Sequence, residues 1–181
     1  MRLPGLGLAV LLVLTGCGQH QKGFELTANL VTDDVTLQWS GAPADAAYLM
    51  VEYATEETGT YTILDFLPPD QHTFEHPDLM PGTTFFYRVT PLTAPSGDPA
   101  KAQPHKDEVQ LTWTDTSSDE DGYLLERRST AQPVQVAAYL DPNTTSFDLP
   151  LLPTDKPATY YPRPFRRGTP SPITHEAIPP E

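Results

Sequence analysis

The chain has 181 residues, with 24 acidic and 11 basic side chains and a formal charge of −13. That is room for one large domain or two small ones, and the acidic balance argues against a nucleic-acid binder, which needs a basic footprint. Hydrophobic residues at 38% can build a core, the 21 prolines leave little space for long helices, and a single cysteine permits neither an intrachain disulfide nor a Cys-based zinc finger.

Arg2 is the only charge before His20, and an apolar run from Leu6 to Leu14 ends in Leu14-Thr15-Gly16-Cys17. A basic start followed by a short apolar stretch reads as a secretory signal, too short for the ~20 residues of a membrane span. Its end resembles the lipobox of bacterial lipoproteins: a Leu, two small residues, then Cys. The resemblance implies a signal peptide over 1–16, cleavage before Cys17, lipid on the Cys17 sulfur and acylation of the new amine. Acyl chains anchor at ~0.8 kcal/mol per buried CH₂. Gly18 stands where an Asp would hold an enterobacterial lipoprotein at the inner membrane, so the outer membrane is favoured if the envelope has one.

Loss of Arg2 with the leader takes the mature charge to −14. Cys17 and a tether complete residues 17–23. At ~3.3 Å per residue the tether reaches ~20 Å at most. This places the first domain close to the membrane, with the second presented outward.

After the tether the chain repeats itself. VTLQWSG from Val35 matches VQLTWTD from Val109, so that Trp39 corresponds to Trp113 at an offset of 74. Val51-Glu52 corresponds to Leu125-Glu126 at the same offset, and Arg88 to Arg163 at 75. Three anchors at a nearly constant offset mean two copies of one unit. Within each copy the apolar residues alternate: Val35, Leu37, Trp39; Leu49, Val51, Tyr53; Phe85, Tyr87, Val89; Val109, Leu111, Trp113. This is the period of half-buried strands. Turn chemistry separates the runs, at Asp33-Asp34, Thr58-Gly59, Pro81-Gly82 and Asp121-Gly122 among others. The expected fold is all-β, two tandem sandwiches over 24–100 and 101–176 with a tail at 177–181.

The order V-x-L-x-W, an apolar-x-V-E-Y strand, then L-x-P-G-T-x-F-x-Y-R-V resembles the fibronectin type III domain, an immunoglobulin-like sandwich. Trp39 takes the place of the core Trp of its second strand, and Leu79, Pro81 and Gly82 match the turn before its sixth. The resemblance covers roughly residues 24–176. The spacing departs from the family's. Only 19 residues separate Val89 from Val109, too few for both the last strand of copy one and the first of copy two, so one of them is missing or very short. In copy two, Pro162 and Pro164 fall in a central strand. Two residues apart, their missing N–H groups face the same neighbour, while the opposite side pairs normally. The expectation is that the missing ladder faces the last strand, which is then detached or short; the alternative is a shifted register.

The candidate sites are few. His72-Thr-Phe-Glu-His76 matches the H-x-x-E-H string of inverted zinc peptidases, but that chemistry needs a helix. Here the string falls on an expected strand, where residues 72 and 76 stand ~13 Å apart. Asp115, Asp119, Glu120 and Asp121 crowd one loop without EF-hand spacing and read as a solvated acidic loop. No metal site, cofactor site or catalytic constellation is expected. Residues 24–100 carry −11 and residues 101–181 only −4. In the second copy Arg127 and Arg128 lie on the third strand, and Arg163, Arg166 and Arg167 on or after the sixth. Those strands neighbour each other in the fibronectin type III fold. The arginines are either a basic patch suited to carboxylate or sulfate groups or cross-strand partners of Glu126 and nearby acids. Tyr160, Tyr161 and Phe165 form the one obvious aromatic cluster.

These readings lead to a lipid-anchored protein of the bacterial cell envelope, non-catalytic, acting as a scaffold or protein-interaction module. The alternative is a carbohydrate-binding accessory or adhesion protein using the aromatic cluster. The expected partners are the membrane, through lipid on Cys17, and a protein or glycan of the envelope, with no nucleic acid.

Overall fold

Alternating burial sets the first elements. In β2 (Asp34–Ser40), Val35, Leu37 and Trp39 are buried while Thr36 and Gln38 are not. β2 pairs antiparallel with β1 (Glu25–Val31) on one side and β5 (Thr73–His76) on the other, giving a three-stranded layer in the order β1-β2-β5. The opposing layer begins with β3 (Ala46–Ala54), β4 (Thr62–Leu67) and β6 (Thr84–Thr93). Leu49, Val51, Phe85, Tyr87 and Val89 meet Val35, Leu37 and Trp39 in one core. The computed structural model describes residues 23–94, 109–130, 132–149 and 158–180. Cys17 and the expected leader lie outside the described residues.

Among the described residues the second copy repeats the plan with fewer strands. β7 (Val109–Thr112) pairs β10 (Ser146–Leu149), and β8 (Gly122–Arg128) lies between β9 (Gln135–Leu140) and β11 (Thr159–Arg167). Equivalence extends to single bonds. Trp39 N donates to His72 O at 3.0 Å, and Trp113 N to Thr145 O at 2.9 Å. The register of β3 with β4 shifts between Val51 and Glu52, and that of β8 with β9 between Leu125 and Glu126. Such bulges twist an outer strand and blunt its edge.

The partition at residue 101 needs one correction. β12 (Thr174–Ala177), from the end of the second copy, pairs with β6 of the first, Thr174 opposite Tyr87 and Ala177 opposite Thr84. It supplies the last strand of a fibronectin type III-like sandwich, β1-β2-β5 over β4-β3-β6-β12. Nor are the residues after it a tail. Ile178 is buried in the first core, its N–H donates to Thr83 O, and Gly82 N donates to Ile178 O. The short interval after Val89 is thereby explained: residues 174–177 take the place of the strand it could not hold.

The prolines show why the chain leaves the second copy here. Phe165 O accepts from Asp121 N on the β8 side. Alternation then turns Tyr161 and Arg163 toward β8, and Pro162 and Pro164 away from it. β11 is in register with β8 from Thr159 to Phe165, and on its other side pairs only Arg166 and Arg167, with Thr93 and Leu92 of β6. The expected one-sided ladder and the detached last strand are both present. Beyond Arg167 the chain continues along β6: Gly168 N donates to Pro91 O at 2.8 Å and Ser171 N to Val89 O at 2.9 Å.

A seven-stranded sheet therefore runs through both copies, β4-β3-β6-β11-β8-β9 with β12 also on β6. Its two halves fold toward each other. Met50, Leu92, Leu124 and Phe165 form a core between them, and Phe66 of β4 stacks on Tyr139 of β9 at 5.8 Å between ring centroids. β3 and β8 are covered on both faces, and their middles are continuously buried.

Candidate functional site

Two carboxylates lie in the faces that meet between the copies. Glu126 of β8 follows Leu124 on the same face and is 2% exposed. Arg163 of β11, opposite Leu124 in the register, reaches it with Nε 2.5 Å from Oε1 and Nη2 3.4 Å from Oε2. Arg128 donates through Nε and Nη2 to Oε2 at 3.2 and 2.7 Å. The Tyr48 hydroxyl, from β3 of the other copy, donates to Oε1 at 2.9 Å. Glu52 is the counterpart in the first copy, 3% exposed. It accepts from Arg88 Nε and Nη2, both at 3.0 Å, and from the Thr90 hydroxyl at 2.6 Å.

The electrostatics follow from this packing. Burial pushes the Glu126 carboxyl upward, but the hydrogen bonds of Arg163 and Arg128 outweigh it, and the group is held below the ordinary carboxylate range. Tyr48 moves the other way: burial and then the negative Glu126 raise its hydroxyl well above its usual value, so it stays protonated as a donor. A carboxylate kept ionised against its own guanidiniums has its acceptor sites filled and no proton to give at neutral pH. The cluster locks strands together.

The sequence-derived arginines divide accordingly. Arg163 is a cross-strand partner of Glu126; Arg128 binds the same carboxylate from two residues along β8 and lies over the Tyr161 ring of β11 at 4.5 Å. Arg166 pairs with Asp119, Arg167 with the Tyr139 hydroxyl, and Arg127 reaches Gln135 at 3.5 Å. The five do not form one patch free for a ligand, because each guanidinium has a partner on a neighbouring strand or loop.

The aromatic cluster is also corrected. Phe165 is 1% exposed, inside the core between the copies, so it cannot belong to an exposed platform. Tyr160 is half-buried against the second core, while Tyr161 sits on the opposite face of β11 under Arg128. Adjacent residues of a strand point to opposite faces, which separates the two tyrosines.

The acidic loop serves the fold. Asp115 accepts from Ser117 N and the Tyr123 hydroxyl, Glu120 from Asn143 N, and Asp121 from Arg167 N. His76 ends β5, its Nδ1 3.1 Å from the Tyr87 hydroxyl, while His72 precedes that strand, so the H-x-x-E-H string is not helical. Among the described residues no group of three His, Cys, Asp or Glu could hold a metal ion.

No family model and no curated protein matches the chain. Solved structures do. The FN1–FN3 domains of chicken CNTN1 match at 13% identity and a TM-score of 0.34, over 86% of this chain and 66% of that one. The chain thus spans just under two thirds of that structure. A segment of two fibronectin type III domains from chicken tenascin matches at 16% identity and a TM-score of 0.32, over 87% of this chain and 98% of that one.

Glu52, Tyr48 and Thr90 also belong to these clusters, beyond the residues expected from the sequence. For Glu52 the signal is in the sequence: Glu52 and Arg88 are two of the repeat anchors, and a charge held at one offset in both copies, inside an apolar strand, marks a buried pair. Tyr48 carried no such mark, since its partner lies in the other copy.

Proposed function

We propose that this protein is a lipid-anchored lipoprotein of the bacterial cell envelope, acting as a non-catalytic scaffold or protein-interaction module. One observation carries the scaffold reading: β12 completes the first sandwich from beyond the second. Domains on a flexible linker move relative to each other. Here a shared sheet and a shared core join the copies, and such a body holds a partner at a fixed distance and angle. The anchor rests on the Leu14-Thr15-Gly16-Cys17 sequence, and Gly18 favours the outer membrane.

Cross-linking in intact envelopes followed by capture tests the module. A discrete protein partner, not displaced by soluble glycan, is the expected result; capture of glycan alone would overturn it in favour of the carbohydrate reading. Cys17→Ser tests the anchor: unprocessed precursor without lipid is expected, and normal maturation would refute it.

A further inference from the structure

The first copy was expected to stand between the anchor and the second copy. The register puts the start of β1 at the junction of the two copies. Glu25 lies opposite Ser40, Ala46 opposite Thr93, and Thr93 opposite Arg166. The start of β1 is therefore at the end of the first sandwich where the second is joined. Gly23 and Phe24 share an open groove of about 530 Å³ with residues 41–44 and with Thr169 and Pro170, in the connection between β11 and β12. The tether leaves from the waist of the molecule.

Among the described residues the groove is lined without a charge, in a chain of formal charge −13. Pro43, Ala44, Thr169 and Pro170 on its rim are exposed, as is Ile173 nearby in sequence, at 43%. Glu25 and Asp45, both exposed, flank it. Next to an anionic bilayer they repel over ~8 Å at physiological salt, a cost to close contact that the short tether must offset. Met80, 69% exposed, precedes the Thr84 end of β6, opposite its Thr93 end, and Thr130 is exposed beyond β8.

Resting on the lipid anchor proposed above, we infer that this uncharged waist, residues 41–44 with Thr169 and Pro170, is the surface that lies against the phospholipid bilayer. The two sandwiches then flank the anchor instead of being stacked outward from it. The ~20 Å reach of residues 18–23 keeps the groove beside the lipid and leaves the Met80 and Thr130 ends both free for partners.

The test uses the full lipidated chain in vesicles of phosphatidylethanolamine and phosphatidylglycerol. Cys17 is the only cysteine and is blocked by lipid, so single Cys variants take a fluorophore selectively. Ala44→Cys and Thr169→Cys are compared with Met80→Cys and Thr130→Cys, using a quencher on the lipid headgroup. Quenching several-fold stronger at 44 and 169 than at 80 and 130 is expected. Equal or stronger quenching at 80 or 130, with the protein still floating with the vesicles, overturns the orientation alone. Protein that does not float with the vesicles refutes the anchor, and the orientation with it.

Discussion

Arg163 is bound to Glu126 as Arg88 is to Glu52, each guanidinium lying across a buried carboxylate one strand away. Stripping such a carboxylate of its last guanidinium costs ~3–5 kcal/mol; Glu126 without Arg163 still has Arg128 and the Tyr48 hydroxyl, so the loss falls below that range. Arg163→Ala should still destabilise the protein clearly in chemical denaturation. Arg166→Ala, which breaks a pair about half exposed on both sides, should cost no more than ~1 kcal/mol. Equal effects would show that Arg163 is only a surface residue.

The same carboxylate gives the fold an acid limb. Glu126 is held below its ordinary value when folded. Its stabilising contribution is fully present above the unfolded pKa, ~4.3, and is lost as pH falls through the lower folded one. Denaturation midpoints should drop below that pH, and less so in Glu126→Gln at its own, lower baseline.

His76 adds a second limb at higher pH. Burial among Tyr53, Phe85 and Tyr87 pushes its imidazole below 6.5. The unfolded chain then binds the proton more readily, so stability declines as pH drops from about 6.5 toward the lower folded value. His76→Phe should remove that decline while keeping the aromatic packing.

Ile178→Ala should cost ~2–5 kcal/mol, the range for emptying a buried Ile site, although sequence order puts residue 178 after the second copy. Hydrogen exchange should locate the loss in β6 and β2 of the first sandwich. Protection lost only in the second copy would contradict the pairing of β12.

Trp39→Ala and Trp113→Ala each remove a buried indole, at ~3–5 kcal/mol. Two independent sandwiches would give two transitions, each mutant shifting one. The shared sheet and the Met50, Leu92, Leu124, Phe165 core predict a single transition that both mutants lower. Biphasic unfolding in calorimetry would overturn this.

Strand periodicity and the repeat were legible because they depend on neighbours two residues apart and on a constant offset. Pro162 and Pro164 announced a side of β11 without a ladder, since a missing N–H is written in the sequence itself. What was hidden is where the freed strand goes: the pattern of Thr174–Ala177 fits either copy, and the choice depends on which edge lacks a partner. The site was half legible. Glu126 and its arginines were named as a possible network, but Phe165 was read as an exposed ring because the face it covers belongs to the other copy.

The placement of β12 also sets the order in which the molecule can be finished. The first sandwich is synthesised first, yet Thr84 and Tyr87 must wait for Ala177 and Thr174 before their edge is closed. Its contacts are long in sequence, which slows folding. Until residues 174–177 have been made, the edge of β6 from Thr84 to Tyr87 lacks its partner strand. If the proposed leader carries the chain across a membrane in extended form, that delay suits the passage, and the final strand closes the first sandwich afterwards.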